Sequence, residues 1–308
     1  MRIAISGGTG FIGGHLISYF TQRQDELILI SRSDPGKSLP GVRTITWSEI
    51  EQDPHSLEGL DAWINLAGAS INQRWSETAK RQILASRLKT TAAVANAVSA
   101  LHNKPPVVIN ASGMSIYGTS ETDTYDEFSP PRLTDFLAEV VEQWEEAADR
   151  IAAARVVKVR VGIVLGTDGG AFPKMALPYK LGVGGPIGSG NQWMSWIHID
   201  DMVRLIDTCI RNDEIEGPVN ATAPNPVRNR EFGEVLAGVL HRPNLFRVPS
   251  WVMKGLFGEL SVLLLEGQRV LPRKLLEHEF QFTYPALEEA LLDLTGKPGR
   301  SGPPPSPQ

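Results

Sequence analysis

The amino-acid sequence predicts an α/β fold in which a doubly wound parallel sheet is followed by a smaller C-terminal lobe. Short apolar runs alternate with amphipathic segments, and near residue 166 the sequence becomes rich in Gly and Pro. Parallel strands that are covered by helices on both faces show this alternation. We therefore expect a sheet domain over residues 1–165, a smaller lobe over 166–296 with some return to the sheet, and a disordered Pro-rich tail over 297–308.

The elements follow one another in strand–helix order. Apolar runs of β-forming residues predict six strands, at residues 3–6, 26–31, 42–47, 61–66, 107–111 and 156–161. Helical spacing of apolar residues predicts helices between several of them, at 11–23, 77–101 and 135–154. In the smaller lobe the same spacing predicts helices at 230–240, 249–257, 259–267 and 285–294.

The composition argues against several classes of protein. The 308 residues include 30 Lys+Arg and 35 Asp+Glu, for a net charge of −5, which is unfavourable for a general nucleic-acid binder. No apolar run approaches the ~18–20 residues of a membrane span. The chain has one cysteine, Cys209, and begins with a strand-like segment in place of a signal peptide. We therefore expect a cytoplasmic protein without nucleic-acid or membrane partners.

A glycine-rich loop follows the first predicted strand and opens the first predicted helix. Its glycines form the pattern G-x-x-G-x-x-G. Such glycines permit a tight turn and bring the backbone close to a pyrophosphate at the helix N-terminus, where free N–H groups favour anions. The context predicts a Rossmann-type dinucleotide site, and an ordinary strand–helix turn is the alternative. The residues that we expect to contact the cofactor here are Gly7, Gly8, Thr9, Gly10, Phe11, Ile12 and Gly13.

The residues after the second predicted strand indicate which dinucleotide is bound. An NAD site usually carries an acidic residue there, which holds the ribose 2′-hydroxyl. This chain instead has Ser31 and Arg32, with no acid before Asp34. A guanidinium and neighbouring hydroxyl groups suit a phosphate, so the pattern favours NADP. The alternative is an arginine in a solvated loop.

The sequence lacks the motifs of the common metal, hydrolase and nucleotide-hydrolase sites. The six histidines and Cys209 lack the HExxH and CxxC spacings of common metal sites, so we predict no metal centre. The sequence also lacks the G-x-S-x-G elbow of hydrolases and the G-x-x-x-x-G-K-[ST] loop of nucleotide hydrolases.

Several motifs resemble those of the short-chain dehydrogenases/reductases, and the glycine spacing is that of their extended branch. They are DAWINLAG at 61–68, ASGMSIYG at 111–118 and WIHIDD at 196–201. Three further stretches are similar to the atypical subgroup called epimerase family proteins: SRLKT at 86–90, GGPIGSG at 184–190 and LEGQRVLP at 265–272. The resemblance covers about residues 1–295.

This resemblance implies an NADP(H)-binding Rossmann domain with a small C-terminal substrate lobe. It places cofactor contacts on the glycine loop, on Ser31 and on Arg32. For Gln82 and Val164 the alternatives, helix surface and core, are nearly as well supported by the residues themselves. The further positions that match cofactor contacts are Leu66, Ala67, Gly68, Gln82, Arg87 and Val164.

The chain departs from the family in its catalytic residues. Most members use a Tyr-x-x-x-Lys pair to move a proton, and none of the five tyrosines here has Lys four residues later. Phe136 and Val140 fill those places. The remaining candidates are Ser112, which matches the family's active-site serine, with Tyr117 or His198 as the proton donor. Structural roles are the alternatives for both donors.

These observations lead to two functional hypotheses. The first is an NADP(H)-dependent oxidoreductase or epimerase-like enzyme for a small polar molecule, and the resemblance alone suggests a nucleotide-sugar-like one. The second is an NADP(H)-binding regulatory or interaction protein that does not turn over, which the missing Tyr/Lys pair favours. A homodimer is an additional expectation for either.

Overall fold

The computed structural model describes residues 1–33 and 41–297, so Asp34 and all of the expected tail except Lys297 lie outside it. Strands are found at Arg2–Ser6 (β1), Glu26–Ser31 (β2), Val42–Thr46 (β3), Ala62–Asn65 (β4), Val107–Gly113 (β5), Thr124–Tyr125 (β6), Arg155–Val161 (β7), Ile163–Leu165 (β8), Trp193–Met194 (β9), Trp196–His198 (β10), Gly217–Ala221 (β11), Val227–Arg228 (β12) and Arg269–Val270 (β13).

Helices connect these strands. The α-helices are Phe11–Gln22 (α1), Trp47–Gln52 (α2), Glu77–Ala100 (α3), Phe136–Ala148 (α4), Phe172–Lys180 (α5), Ile199–Arg211 (α6), Asn229–Leu240 (α7), Ser250–Phe257 (α8), Val262–Leu265 (α9), Arg273–Glu277 (α10) and Leu287–Leu294 (α11). Short 3₁₀ turns lie at Pro54–Leu57, Met114–Tyr117 and Gly258–Ser261.

A seven-stranded parallel sheet organises the fold, in the order β11-β7-β5-β4-β1-β2-β3. The chain runs outward from β1 to β3 on one side, then crosses to β4 and continues to β11 on the other. This confirms the predicted doubly wound parallel sheet. Because the strand order reverses beside β1, the carboxyl ends of β1 and β4 border the crevice in which such sheets bind ligands.

Both faces of the sheet are buried, which explains the nearly continuous apolar strands. Along β1, Ile3 and Ile5 enter one core cluster together with α1 and α6 residues, while Ala4 enters a second cluster on the opposite face. Successive side chains of a strand point to opposite faces, so both sets of side chains along a doubly covered strand are mainly apolar.

The second half of the chain builds a smaller cluster from α5, α7 and α11, centred on buried Phe172, Trp196 and Phe232. It also supplies β11, the seventh strand of the main sheet. The helix expected over 259–267 is interrupted: Gly258 has a φ of +57° and starts a 3₁₀ turn, and α9 covers only Val262–Leu265. Within the described residues, no helix is long and apolar enough to cross a membrane.

Candidate functional site

The glycine loop lies at the carboxyl end of β1 and packs against the end of β4. Gly7 has a φ of +81°, and a β-carbon there would lie 2.7 Å from the carbonyl carbon of Leu66. A β-carbon at Gly13 would lie 2.5 Å from the Gly7 oxygen. Gly10 differs, because the same Gly7 oxygen, at 3.2 Å, is the single neighbour of its β-carbon position. Packing therefore requires Gly7 and Gly13, whereas Gly10 leaves the outer face of the loop open.

The N-terminus of α1 faces this open surface. Gly10 is the N-cap residue, no side chain of the described residues caps the helix, and its first turn carries no acidic residue. Thr9 and Gly10 are exposed, and Gly8 is buried. The partial positive charge at the helix end is therefore available to an anion. Ile12 is partly buried and packs against the main core cluster.

Phe11 has a different environment from the rest of the loop. Its ring lies against a glycine turn after β8, where a β-carbon at Gly166 or Gly169 would approach it to 2.5 Å. The ring of His15 meets Phe11 edge-on at a centroid distance of 5.5 Å. The Phe11 side chain thus joins α1 to the segment after β8, and its backbone remains in the first turn of the helix.

Helix α3 fixes the segment that follows β4. The Thr90 hydroxyl donates to the carbonyl of Ala67 at 3.2 Å, and the Ala69 N–H donates to the Ser86 hydroxyl at 2.9 Å. Gly68 is exposed between these two anchors. The family positions 66–68 are thereby held next to the glycine loop, which Leu66 contacts directly.

Arg87 is the main charged group on this side of the site. Its Nη1 atom donates to the carbonyls of Ala69 (3.1 Å) and Ile83 (3.0 Å), and its guanidinium lies 5.0 Å from the ring centre of Trp144. In the described part of the chain it has no carboxylate partner. Burial lowers the pKa of Arg87 to about 10. A β-carbon at Gly68 would lie 3.3 Å from its side chain. Arg87 is therefore a largely buried cation without a counter-charge.

The remaining predicted cofactor residues lie at several places around the sheet edge. Ser31 ends β2 and donates its hydroxyl hydrogen to the Ser33 carbonyl at 2.5 Å, and Arg32 beside it is exposed. Gln82 is exposed on α3. Val164 is buried in β8, opposite Ile197 of β10.

A buried hydrogen-bonded chain brings together Ser112 and Tyr117. The Ser112 hydroxyl donates to Glu145 at 2.6 Å, and Arg160 pairs with both oxygens of that carboxylate at 2.8 and 2.9 Å. Arg160 also donates to the Tyr117 hydroxyl at 2.7 Å, and that hydroxyl donates to Asn220 at 2.8 Å. Ser112 is 4% exposed and Tyr117 is 0% exposed. The network thus joins β5, α4, β7 and β11.

The charges in this network neutralise each other. Burial alone would raise the pKa of Glu145, but its hydrogen bonds and ion pair with Arg160 outweigh burial and hold the pKa below its usual value. The same pair raises the pKa of Arg160 against the effect of its burial. Burial raises the pKa of Tyr117 to about 12, so its phenol keeps its proton at neutral pH.

His198 lies outside this network. Its Nδ1 atom accepts the N–H of Asp200 at 3.2 Å and so caps α6, while Nε2 faces Asp293 at 3.2 Å. The ring of Tyr284 covers the imidazole at a centroid distance of 4.0 Å. Burial lowers the pKa of His198 in spite of the acidic neighbours. The observed contacts are those of a neutral helix cap that also holds α11.

Helix α4 contains neither Tyr nor Lys. Phe136 and Val140 pack in a cluster with Trp75 and Ile83. Sequence reasoning missed Glu145 and Arg160, which are buried charged residues of α4 and β7. The available signal was a charged residue at a position of the helix or strand that faces the core. Such a residue predicts a buried partner of opposite charge, because an unpaired buried charge is costly.

A cavity of about 520 Å³ lies at the same edge of the sheet. The segment after β4 and the N-terminus of α4 form one wall, and α8, α9 and the turn between them form the other. Its lining residues are Trp75, Asp135, Phe136, Lys254, Gly258, Glu259, Ser261, Val262, Leu265 and Glu266.

Comparisons with known proteins agree with this geometry. Residues 3–221 match the model of the NAD dependent epimerase/dehydratase family, and residues 248–294 match a domain of unknown function, DUF1731. The chain is 41% identical to epimerase family protein YfhF of Bacillus subtilis over 297 residues, covering 96% of this chain and 98% of that one. It is 40% identical to mouse epimerase family protein SDR39U1 over 299 residues, covering 96% and 99%.

A solved structure has the same fold over nearly the whole chain. The crystal structure of human epimerase family protein SDR39U1 (isoform 2) with NADPH superposes with a TM-score of 0.89 at 39% identity, covering 96% of this chain and 99% of that one. The resemblance inferred from the motifs is thereby confirmed. The chain belongs to the NAD dependent epimerase/dehydratase family.

Proposed function

We propose that this protein binds NADP(H) at the carboxyl edge of the sheet and is an NADP(H)-dependent oxidoreductase or epimerase-like enzyme for a small polar molecule. One observation carries the proposal: an open helix N-terminus and the largely buried Arg87 guanidinium, which has no carboxylate partner among the described residues, border the crevice beside β1 and β4. Two separate positive features at one crevice suit the pyrophosphate and ribose of a dinucleotide. The crystallised human relative, which contains NADPH, supports the same assignment.

The residues around the crevice have distinct roles in this proposal. The N–H groups at 11–13 and the surface of Gly10 receive the pyrophosphate, with the other loop residues shaping the turn. Leu66, Ala67 and Gly68 line the adenosine side, and Gln82 reaches the cofactor from α3. Val164 of β8 would line the nicotinamide end of the site.

Selection of NADP over NAD is assigned to the end of β2. Arg32 is exposed there, and a planar guanidinium can pair with a 2′-phosphate through two hydrogen bonds. Ser31 occupies the adjacent position, where its hydroxyl can turn from the Ser33 carbonyl to the same phosphate. No acidic side chain stands at 31–33 to accept a free 2′-hydroxyl.

The substrate is assigned to the cavity between α4 and the α8–α9 region. Its volume of about 520 Å³ suits a small molecule. The bound nicotinamide would exchange a hydride with the substrate. Ser112 is not one of the residues that line this cavity, so in this proposal the substrate extends from the cavity toward β5, where its oxygen contacts the Ser112 hydroxyl. Since Ser112 donates its hydrogen to Glu145, its free lone pairs can accept the hydrogen of a substrate hydroxyl.

Tyr117 is more closely connected to Ser112 than His198 is. Tyr117 joins Ser112 through Arg160 and Glu145, whereas the contacts of His198 are with Asp200, Asp293 and Tyr284. Within this enzyme hypothesis, His198 fixes the start of α6, the buried network holds Ser112 in place, and water supplies the net proton.

A second candidate function is an NADP(H)-binding protein without turnover. The specific observation in its favour is that Ser112 and Tyr117 are buried and bonded to other side chains, while α4 lacks the Tyr/Lys pair. For either function we infer a reducing, cytoplasmic setting, because Cys209 is a buried free thiol. A homodimer is likewise our proposal.

Rapid mixing of the NADPH-loaded protein with a library of carbonyl compounds and sugar nucleotides tests the two functions. The enzyme hypothesis expects loss of NADPH absorbance with at least one compound. Ser112→Ala should then lower turnover by about 10- to 1,000-fold with little change in NADPH affinity. Ser18→Ala, at an exposed position on α1, is the control. Tight NADPH binding without hydride transfer across the library would favour the second function.

A further inference from the structure

Three side chains of metal-ligand type meet on the side of the sheet opposite the cofactor crevice. His55 lies in the 3₁₀ turn Pro54–Leu57, Glu58 follows it before β4, and His102 lies between α3 and β5. Segments that precede parallel strands lie at the amino-terminal edge of the sheet. The three residues are therefore brought together by the fold, with α3 separating His102 from the other two in sequence.

The nitrogen and oxygen atoms that could bind a metal already lie close together. His55 Nδ1 lies 3.0 Å from Glu58 Oε1, and His102 Nδ1 lies 3.1 Å from the same oxygen. The two imidazoles stack with centroids 4.6 Å apart and planes inclined by 21°. One ligand atom from each residue falls within 4.8 Å of the others. Zinc bonds of about 2.0–2.2 Å need ligand atoms roughly 3.3 Å apart, so modest side-chain rotation completes the geometry.

Hydrogen bonds hold the Glu58 carboxylate in one orientation in the metal-free protein. Glu58 Oε1 accepts the His102 N–H at 2.8 Å, and Oε2 accepts the Asn103 N–H at 3.0 Å. The hydrogen bond from His55, followed by these backbone bonds, lowers the pKa of Glu58 to about 2. The carbonyl of Glu58 also accepts a hydrogen bond from Arg2. Such outer contacts fix the direction of a ligand and help to tune its affinity.

A change of tautomer frees the Nδ1 atoms of the two imidazoles for a metal. In the structure both Nδ1 atoms lie within hydrogen-bond distance of the same Glu58 oxygen. A neutral imidazole can carry its hydrogen on Nε2, which leaves the Nδ1 lone pair for a metal. The His102 side chain is 80% exposed and that of His55 is 49% exposed, so both rings have room to rotate.

We propose that His55, Glu58 and His102 form a Zn²⁺ site with two imidazole nitrogens, one carboxylate oxygen and water in the fourth position. This donor set suits borderline divalent ions such as Zn²⁺ more than Mg²⁺ or Ca²⁺, which take oxygen ligands. The ion would join the turn before β4 to the end of α3. The ion would stabilise the amino-terminal edge of the sheet, on the side away from the cofactor crevice.

Calorimetric titration of the chelator-treated full chain with ZnCl₂ tests the site. We expect one ion per chain with a dissociation constant below about 100 μM, and a higher melting temperature with Zn²⁺. His55→Ala and His102→Ala should each weaken binding by more than about tenfold. His278→Ala is the matched control, because His278 also faces a single carboxylate, Glu214, at 3.6 Å.

Cobalt provides a readout that does not depend on stability. Co²⁺ bound by two imidazoles and a carboxylate gives visible absorption bands, and these should disappear in His102→Ala while the variant's melting temperature without metal stays unchanged. Binding weaker than 100 μM in the unaltered chain overturns the proposal. Equal loss of affinity in His278→Ala, or none in His55→Ala and His102→Ala, overturns it as well.

Discussion

Replacing Arg87 by Met should separate cofactor affinity from stability, because the guanidinium is largely buried and has no counter-charge in the part of the chain that the structure describes. The fall of its pKa to about 10 corresponds to about 3 kcal/mol of unfavourable burial in the cofactor-free protein. Its two hydrogen bonds to carbonyls, at about 1 kcal/mol each, and its contact with Trp144, at about 0.5–1 kcal/mol, offset most of this cost. We expect the free energy of unfolding of Arg87→Met to change by less than about 1 kcal/mol.

NADPH binding should respond much more strongly to the same change. Loss of a charge-assisted contact with the cofactor costs about 1.5–3 kcal/mol, or roughly 10- to 150-fold in the dissociation constant. At a concentration 100 times the original dissociation constant, NADPH stabilises the protein by about 2.7 kcal/mol; a 100-fold loss of affinity reduces this to about 0.4 kcal/mol.

Calorimetric titration and urea unfolding with and without NADPH measure both quantities. Arg87→Lys keeps the charge without the planar fork and should show an intermediate affinity. Arg81→Met, at an exposed position on the same helix, should change neither quantity. Unchanged NADPH affinity in Arg87→Met would refute the assignment of Arg87 to the cofactor site. Destabilisation by more than about 3 kcal/mol would refute the claim that its charge is uncompensated.

Three further predictions concern other parts of the molecule. Arg32→Asp should weaken NADPH binding by roughly 10- to 150-fold and leave NADH binding less affected; equal NADPH affinity in both proteins, measured by calorimetry, would contradict the phosphate contact. Gly10→Val should abolish binding of both cofactors while the protein still melts cooperatively, whereas Gly14→Ala, with nothing within 4 Å of its β-carbon position, should bind normally. Glu145→Gln should destabilise the protein by about 3–5 kcal/mol in urea unfolding because Arg160 is left buried and unpaired, and Glu145→Gln combined with Arg160→Met should recover part of that loss.

The sequence predicted those features that depend on local patterns. Six of the seven sheet strands were predicted because β-forming apolar residues dominate them, whereas β11, with the sequence GPVNA, was not predicted. The glycine loop was predicted from its spacing, and in the structure neighbouring backbone excludes a side chain at Gly7 and Gly13. The end of α4 was predicted too far along the chain: the helix stops at Ala148, although the apolar spacing continues toward Ile151. Periodicity reports burial, and Ile151 is buried without being helical.

Contacts between residues that are distant in the sequence could not be predicted from the sequence alone. Tyr117 and Asn220 meet only because β11 pairs with β7 at the far side of the sheet. The group of His55, Glu58 and His102 has no motif spacing, since all of α3 lies within it. In both cases the chemistry depends on which strands become neighbours, and single-sequence patterns do not contain that information.

The buried network bears directly on the choice between the two proposed functions. A residue that donates a proton needs a charge state that can change near neutral pH. The pKa of Glu145 is held low by Arg160, and burial raises that of Tyr117 to about 12, so neither group changes protonation near pH 7. The depressed pKa of Glu145 stabilises the folded protein above about pH 4.5, and this stabilisation is lost on acidification. The network therefore contributes mainly to the stability of the fold. An enzyme built on this site would therefore rely on Ser112 to orient the substrate oxygen and on water for the net proton. In that case turnover should show no step between about pH 6 and 8 that belongs to this network, and such a step lost in Tyr117→Phe would contradict the reasoning.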